Sequence, residues 1–505
     1  MKNVRLSLRT REKQAMPDEY PEPATATKAS TAPGQAQPGA SSPAPLGRAR
    51  MVCVCLALLL EGMSSSSINV QIAAIHTDLA LDAGEMQIVA SAFLLSYAGL
   101  LPLAGRLVDA WNRRAVFLIG VGLFGLGCLA CALAGSVLLL GAGRFIQGAG
   151  AALSAPAALA LITAGLAESA RRNRAIALYG AMGAVGFSLG LVLPGAVVTL
   201  FGWRASFLLF LPVVLLVLLA GSSVKVAAVR VRQRIEVRST LLLTGALILS
   251  VHLLGAFTTL AMPWLAIEAV ALLALVGLLL FRSGPALFPS AVIHSPRILA
   301  SCLGPSGVFG AVVASMYVLS LGLVARGGAD AFVVGLLILP QPLFFSLLSG
   351  AGARMVTRFG APWVFTAGAL LLAASLVFLG IVGLSADPWM VVLPSMAGVG
   401  AALALCFPAA SIGAVDAAPE EFRGTVASLL TTFQNVGGAA GLALVTVLAI
   451  VPRGANRIGI EPGMLVSAAV LVLGIGVAAC VAGIPATGVR NHRSAAPSVR
   501  GNRRW

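Results

Sequence analysis

Long apolar runs separated by short polar breaks fill the chain from residue 51 to residue 485. They cover roughly 51–75, 86–104, 115–135, 137–164, 175–200, 204–222, 239–257, 261–281, 299–322, 331–352, 361–384, 388–410, 424–450 and 462–485, fourteen runs in all. A helix crosses a bilayer with about 20 apolar residues. A spanning strand would show about ten residues of alternating polarity, and no such alternation occurs. The pattern predicts an all-α polytopic membrane protein embedded in the lipid bilayer.

Composition agrees. Hydrophobic residues make up 58% of the chain and charged residues 10%, against about a quarter charged in soluble domains. The net charge of +16 would draw a soluble protein to nucleic acid. Here the basic residues sit between spans and at the termini, so no nucleic-acid partner is expected. Loops after even-numbered spans hold Arg106, Arg113, Arg114, Arg171, Arg172, Arg174, Lys225, Arg230, Arg232, Arg234, Arg238, Arg282, Arg297, Arg354, Arg358 and Arg423. Loops on the other side hold only Arg204, Arg326, Arg453 and Arg457, and the first of them is acidic, with Asp78, Asp82 and Glu85. This bias places the even-side loops and both basic termini in the cytoplasm of a plasma or inner membrane. It requires an even number of spans.

Residues 1–50 are polar and rich in Ala, Pro, Ser and Thr, the composition of a disordered cytoplasmic tail. They lack the apolar core of a secretory signal, so the first span is expected to act as its own signal. All seven cysteines lie in apolar runs. Cys128-x-x-Cys131 has no neighbouring His or second pair, which reads as helix packing and not as a metal site. No cofactor is expected.

The chain repeats itself. Pro156-Ala157-Ala158 is followed by Glu168 and Arg171, and Pro408-Ala409-Ala410 by Glu420 and Arg423 at the same offsets. Gly148 and Gly150 precede the first set as Gly398 and Gly400 precede the second. A Gly-rich span follows each, with Gly183, Gly186 and Gly190 in one and Gly437, Gly438 and Gly441 in the other. Parallel six-span repeats are a transporter architecture. The expected layout is therefore a tail at 1–50, a six-helix bundle at 51–222, a basic cytoplasmic loop at 223–238 and two inserted helices at 239–281. A second six-helix bundle at 299–485 and a basic cytoplasmic tail at 486–505 complete it.

The stretch GRLVDAWNRR, starting at Gly105, packs charges between apolar runs. It resembles the G-x-L-x-D-r-x-G-r-r loop of the major facilitator superfamily, with Gly105, Leu107, Asp109, Arg113 and Arg114 matching and Asn112 at the usual glycine. An acid at a helix end can meet a neighbouring helix dipole and nearby arginines. Contacts of that kind form in one state of a rocking transporter and break in the other. The resemblance implies that Gly105, Asp109, Arg113 and Arg114 form a conformational gate, with two six-helix bundles plus two inserted helices as the fold.

GAGRFIQGAG resembles the family's R-x-x-q-G-x-g pattern and puts Arg144 and Gln147 one turn apart in span 4. The resemblance implies a proton-coupling role for Arg144. The glycines of span 5 allow close helix approach. That span resembles the antiporter signature G-x-x-x-G-P-x-x-G-G, but reads Gly190-Leu191 at the Gly-Pro step, with Pro194 three positions on. Gly186, Gly190 and Pro194 are its packing residues. Together with FGWRASF and GTVASLLTTFQNVGGAAG, these stretches resemble the fourteen-spanner drug–proton antiporter family, from about Met51 to residue 485.

Span 1 departs from that family. Where its members carry L-D-x-T-I-V-N-V-A-L-P, this chain has MSSSSINVQIA, with Ser64 at the aspartate and Ala73 at the proline. Glu61 lies one turn before Ser64 and shares a polar face with Ser64, Ser65 and Gln71. Proton coupling wants a carboxylate in a partly dehydrated site, so Glu61 is the candidate to take the missing aspartate's role. Glu268, in span 8, is equally suited to a structural pairing with His252. Ser64, Gln71, Gln147, Gln341 and Gln434 are candidate substrate contacts; Gln341 and Gln434 serve equally well as interhelical hydrogen bonds.

No G-x-x-x-x-G-K-[ST] loop, HExxH or Ser–His–Asp signature occurs, which argues against an ATP-driven pump and an enzyme. No repeated polar pore line marks a channel. The expectation is a monomeric secondary transporter that exports small amphipathic organic compounds against proton entry. An exporter of one metabolite, an uncoupled facilitator, and a non-transporting sensor or scaffold are the alternatives.

Overall fold

The computed structural model describes residues 48–163, 170–222, 262–282, 295–382, 387–418 and 423–450, with short stretches between 241 and 253. Among these residues all regular structure is helical. The helices are α1 (Arg48–Leu79), α2 (Ala83–Ala110), α3 (Arg113–Ala132), α4 (Val137–Thr163), α5 (Ala170–Phe201), α6 (Trp203–Leu208) and α7 (Leu211–Ser222). They continue with α8 (Met262–Arg282), α9 (Pro296–Gly327), α10 (Ala331–Ile338), α11 (Pro340–Phe359), α12 (Ala361–Val382), α13 (Pro388–Ala417) and α14 (Arg423–Ile450).

Ten segments are long and apolar enough to cross a membrane, and Pro263–Leu278 and Leu429–Val445 are shorter apolar helices. The expected run 462–485, most of 239–257, the basic loop 223–238 and the tails up to residue 47 and from 451 lie outside the described residues. Helix α1 begins at Arg48, before the first expected span. Two spans are broken. Pro212 follows the α6–α7 turn, and Pro340 opens α11 directly after α10. Neither proline has an N–H for the ladder, and each ring crowds the carbonyl four residues back. Six other prolines, such as Pro156 in α4 and Pro408 in α13, stay inside their helices.

The helices pair the same way twice. Helix α4 packs on α2 and α3, and α1 on α5; helix α13 packs on α11 and α12, and α9 on α14. The repeated glycines explain the match. A Cβ on Gly148 would strike Phe93 O of α2, and one on Gly400 would strike Gln341 O of α11. One on Gly190 would strike Met63 O of α1, and one on Gly437 would strike Ser306 O of α9. These positions admit backbone against backbone, the device by which membrane helices associate without a hydrophobic driving force.

Each half has its own apolar core. One is built from Val54 to Val217, the other from Ile298 to Leu430 with Val70 and Leu191 reaching in. A third core joins the halves: Ile72, Met86, Val89 and Phe207 pack with Tyr317, Leu321, Leu442 and Val445. It lies at the end of the bundle where α1 and α5 finish, called here the distal end. The end holding Arg48 and the α2–α3 turn is the proximal end.

Candidate functional site

Two polar centres occupy the first half, and α1 supplies a residue to each. The first is Arg144 of α4, which is 1% exposed. Its Nη1 donates to Ser64 Oγ of α1 and to Gln147 Oε1 one turn along α4, both at 3.1 Å. Gln147 Nε2 in turn meets Cys128 Sγ at 3.0 Å, and Cys131 Sγ lies 3.8 Å from Gln147 Oε1. The guanidinium also stands over the Phe93 ring, 4.9 Å from its centroid. The two cysteines of the CxxC are thus free thiols packed around a glutamine amide.

The second centre is Glu61. Its carboxylate lies beside Tyr97 of α2, with Tyr179 of α5 close by. Tyr179 donates its own hydroxyl proton to Ala155 O of α4 at 2.8 Å. Counting 13 residues from Arg48 at about 1.5 Å each puts Glu61 roughly 20 Å along α1, so it is held inside the bundle and not at its rim. The Phe93 and Tyr97 rings stack, 6.1 Å apart and inclined by 6°. An aromatic pair therefore stands between the carboxylate at Tyr97 and the guanidinium at Phe93. Acid and base sit one helical turn apart along α1 without pairing.

The other expected residues are placed as follows. Gln71 is buried and donates to Ser206 Oγ of α6 at 2.8 Å, while Ser67 donates to its Oε1 at 3.4 Å. It ties α1 to α6, so the polar face of α1 serves three different partners along its length. Gln341 and Gln434 are buried in the second half, on α11 and α14. Gly186 and Gly190 press on Leu59 O and Met63 O, and α5 runs on through Pro194 to Phe201. In the inserted region, His252 Nδ1 lies 3.2 Å from Glu268 Oε2, the structural pairing that the sequence allowed.

The stretch expected to form a gate is more helical than its charge suggests. Gly105 and Asp109 lie in the last turns of α2, which ends at Ala110, and Arg113 and Arg114 open α3. Only Trp111 and Asn112 connect the helices. Asn112 caps α3, its Oδ1 accepting from Arg114 N at 3.0 Å and Ala115 N at 3.4 Å. The residue at the family's glycine position thus has a local task.

The distal end contains contacts that the sequence did not disclose. Asp78 Oδ2 accepts from Trp203 Nε1 at 3.1 Å and Arg204 Nη1 at 2.6 Å. Arg204 also donates from Nε and Nη2 to Ala134 O and stacks on Trp203. The turn preceding Trp203 depends on Gly202, whose φ of 84° few other residues adopt. Between halves, Ser320 Oγ donates to Asn69 O, Asn69 Nδ2 lies 3.9 Å from Met316 Sδ, and Phe332 N donates to Thr199 Oγ1 at 3.3 Å. Gly335 packs on Leu191 O, and Gly195 on Ala331 O. Polar and apolar contacts together close this end.

Residues 54–441 match the family described as Major Facilitator Superfamily. The chain belongs to that superfamily. A methylenomycin A resistance protein of Streptomyces coelicolor is 30% identical over 75% of this chain and 81% of that protein. The puromycin resistance protein pur8 of Streptomyces alboniger is 31% identical over 77% of this chain and 79% of that protein. A crystal structure of a POT family transporter in complex with 5-aminolevulinic acid superposes with a TM-score of 0.64 at 17% identity, covering 85% of this chain and 95% of that one. At that identity the likeness speaks for the fold. The doubled helix pairing and the contacts α2–α14 and α5–α10 between halves are thus those of a major-facilitator protein. It is a multi-pass membrane protein.

Proposed function

We propose that this superfamily member exports small amphipathic organic compounds in exchange for protons, by alternating access to a site between its two halves. The fourteen-span drug–proton antiporter type is the proposed subfamily, with both termini cytoplasmic. The observation that carries the reading is Glu61, a carboxylate held inside the bundle against Tyr97 and Tyr179. An ionisable group at that depth is expensive and marks an ion or substrate path. The names of the relatives, which refer to antibiotic resistance, support the direction and the kind of cargo. The closed distal end supports alternating access, because rocking halves would have to break that seal. The gate is then Gly105, Asp109, Arg113 and Arg114 at the proximal end.

One observation favours a second reading. Ser64, at the position of the family's aspartate, is bonded to Arg144 and cannot carry a proton across. An uncoupled facilitator is the corresponding function. Proteoliposomes holding the purified protein, a trapped pH-sensitive dye and an added panel of lipophilic cations, carboxylates and neutral drugs separate the two. Substrate-triggered proton flux that is lost in Glu61→Gln supports antiport with Glu61 as the coupling acid. Substrate movement without proton flux supports the facilitator. Full proton-gradient dependence in Glu61→Gln removes Glu61 from the mechanism.

A further inference from the structure

Arg144 is among the largest fully buried side chains of the first half, and it has no ionic partner among the described residues. The described groups around it are neutral. Helix α1 offers Ser64, α2 offers the Phe93 ring, α3 the thiols of Cys128 and Cys131, and α4 itself Gln147. Glu61, the acid nearest to Ser64 in sequence, is turned to Tyr97. A buried charge without a counter-charge is costly and normally retained for a purpose.

The hydrogen bonds are also one-sided. Both run through Nη1, to Ser64 and Gln147, and Nε is buried without a partner. Nε and Nη2 form the side face of the guanidinium, where two parallel N–H groups match the spacing of two carboxylate oxygens. The protein has satisfied the end of the fork nearest Ser64 and left the bidentate face alone. A buried donor left in this way calls for an explanation.

We infer that Arg144 receives a carboxylate group carried by the transported compound, so that the substrate supplies the counter-charge which span 1 withholds. This deepens the export reading and rests on it: it names anionic amphiphiles as the preferred cargo. Ser64 is the specificity residue. Its hydroxyl leaves the guanidinium unneutralised, whereas a carboxylate at that position would occupy it from within.

The test is equilibrium binding, which needs no transport. The full-length protein in detergent is titrated calorimetrically with a panel of amphipathic carboxylates, 4-butylbenzoate among them, each beside its carboxamide. A bidentate, charge-assisted contact predicts that the carboxylates bind about ten- to a hundredfold tighter than the amides. Arg144→Met removes that preference. Arg144→Lys keeps the charge but lacks the fork, and retains only part of it. Ser64→Asp provides an internal counter-charge and abolishes the preference while melting no lower than the parent, which separates lost binding from lost folding. Equal affinities for acids and amides across the panel overturn the inference, as does a preference that survives Ser64→Asp. Sodium chloride displacing the carboxylates while giving the same melting shift by itself assigns the fork to an inorganic anion and overturns the substrate assignment. Carboxylate binding in a protein that moves no cargo would uphold this site and sink the export reading. Transport of cations or neutral compounds with no acid preference would do the reverse.

Discussion

Arg204 Nη1 meets Asp78 Oδ2 at 2.6 Å and ties the start of α6 to the end of α1. The two side chains are 42% and 46% exposed, so water and salt screen their charges. Arg204 does more than pair. It donates from Nε and Nη2 to Ala134 O at 3.2 and 3.0 Å and stacks on the Trp203 ring at 4.2 Å. Arg204→Ala is therefore expected to lower the melting temperature more than Asp78→Asn, which keeps an oxygen for Trp203. Thermal unfolding of the two variants checks this. Equal losses would mean that the ion pair, and not the carbonyl and ring contacts, holds the turn.

Thr199 of α5 and Phe332 of α10 meet across the halves, Phe332 N donating to Thr199 Oγ1 at 3.3 Å. In a cysteine-free background, Thr199→Cys with Phe332→Cys is expected to form a disulfide under mild oxidation. Under the proposed alternating access, rocking would then be blocked, because the link spans the seam that such a motion would open. Transport should stop on oxidation and return with a reductant. Unchanged transport by a fully cross-linked sample would show that the distal seam does not open during turnover.

Much of this fold could be read from the chain, because membrane spans announce themselves by length and apolarity and the repeat lay in plain sequence. Gly148 and Gly400 lie at the same offset before Pro156 and Pro408, and α4 and α13 make matching close contacts there. Side-chain partners were harder. Asp78 and Arg204 lie 126 residues apart, and no local pattern links an acid in one turn to an arginine in another. Ser64 was legible as a departure from the family. That its hydroxyl is the acceptor for Arg144 depends on how α1 rotates against α4, which apolar periodicity does not fix when a helix is apolar nearly all round. Gln71 shares the polar face of α1 with Glu61, but its partner Ser206 could not be read from the chain, since successive turns of α1 pass different neighbours.

The α1–α5 contact makes a paired test of the glycines. A Cβ at Gly190 would overlap Met63 O and Ser66 Oγ, while one at Gly180 on the same helix meets nothing within 4 Å. Gly190→Ala is expected to destabilise by about 1–3 kcal/mol, the usual cost of overpacking, with lower yield of folded protein. Gly180→Ala should be neutral or stabilising by roughly 0.5–1 kcal/mol, since alanine is the better helix former. Melting of both variants in detergent decides. A tolerated Gly190→Ala would show that α1 and α5 separate readily.

The final test concerns the turn before α3. Asn112 has φ of −66° and ψ of 110°, extended backbone that any residue adopts, so a glycine there would gain nothing from its conformational freedom. What Asn112 contributes is its Oδ1, shared between Arg114 N and Ala115 N. Asn112→Ala removes that cap and is expected to cost about 1 kcal/mol, and Asn112→Gly only a few tenths. Asn112→Asp keeps the acceptor and adds a negative charge at a helix N-terminus, which the helix dipole and the adjoining Arg113 and Arg114 favour. The expected order of melting temperatures is Asp at or above Asn, then Gly, then Ala. If Gly melts highest, the turn is governed by backbone freedom after all, and the resemblance to the family's glycine is the better guide to this turn than the cap.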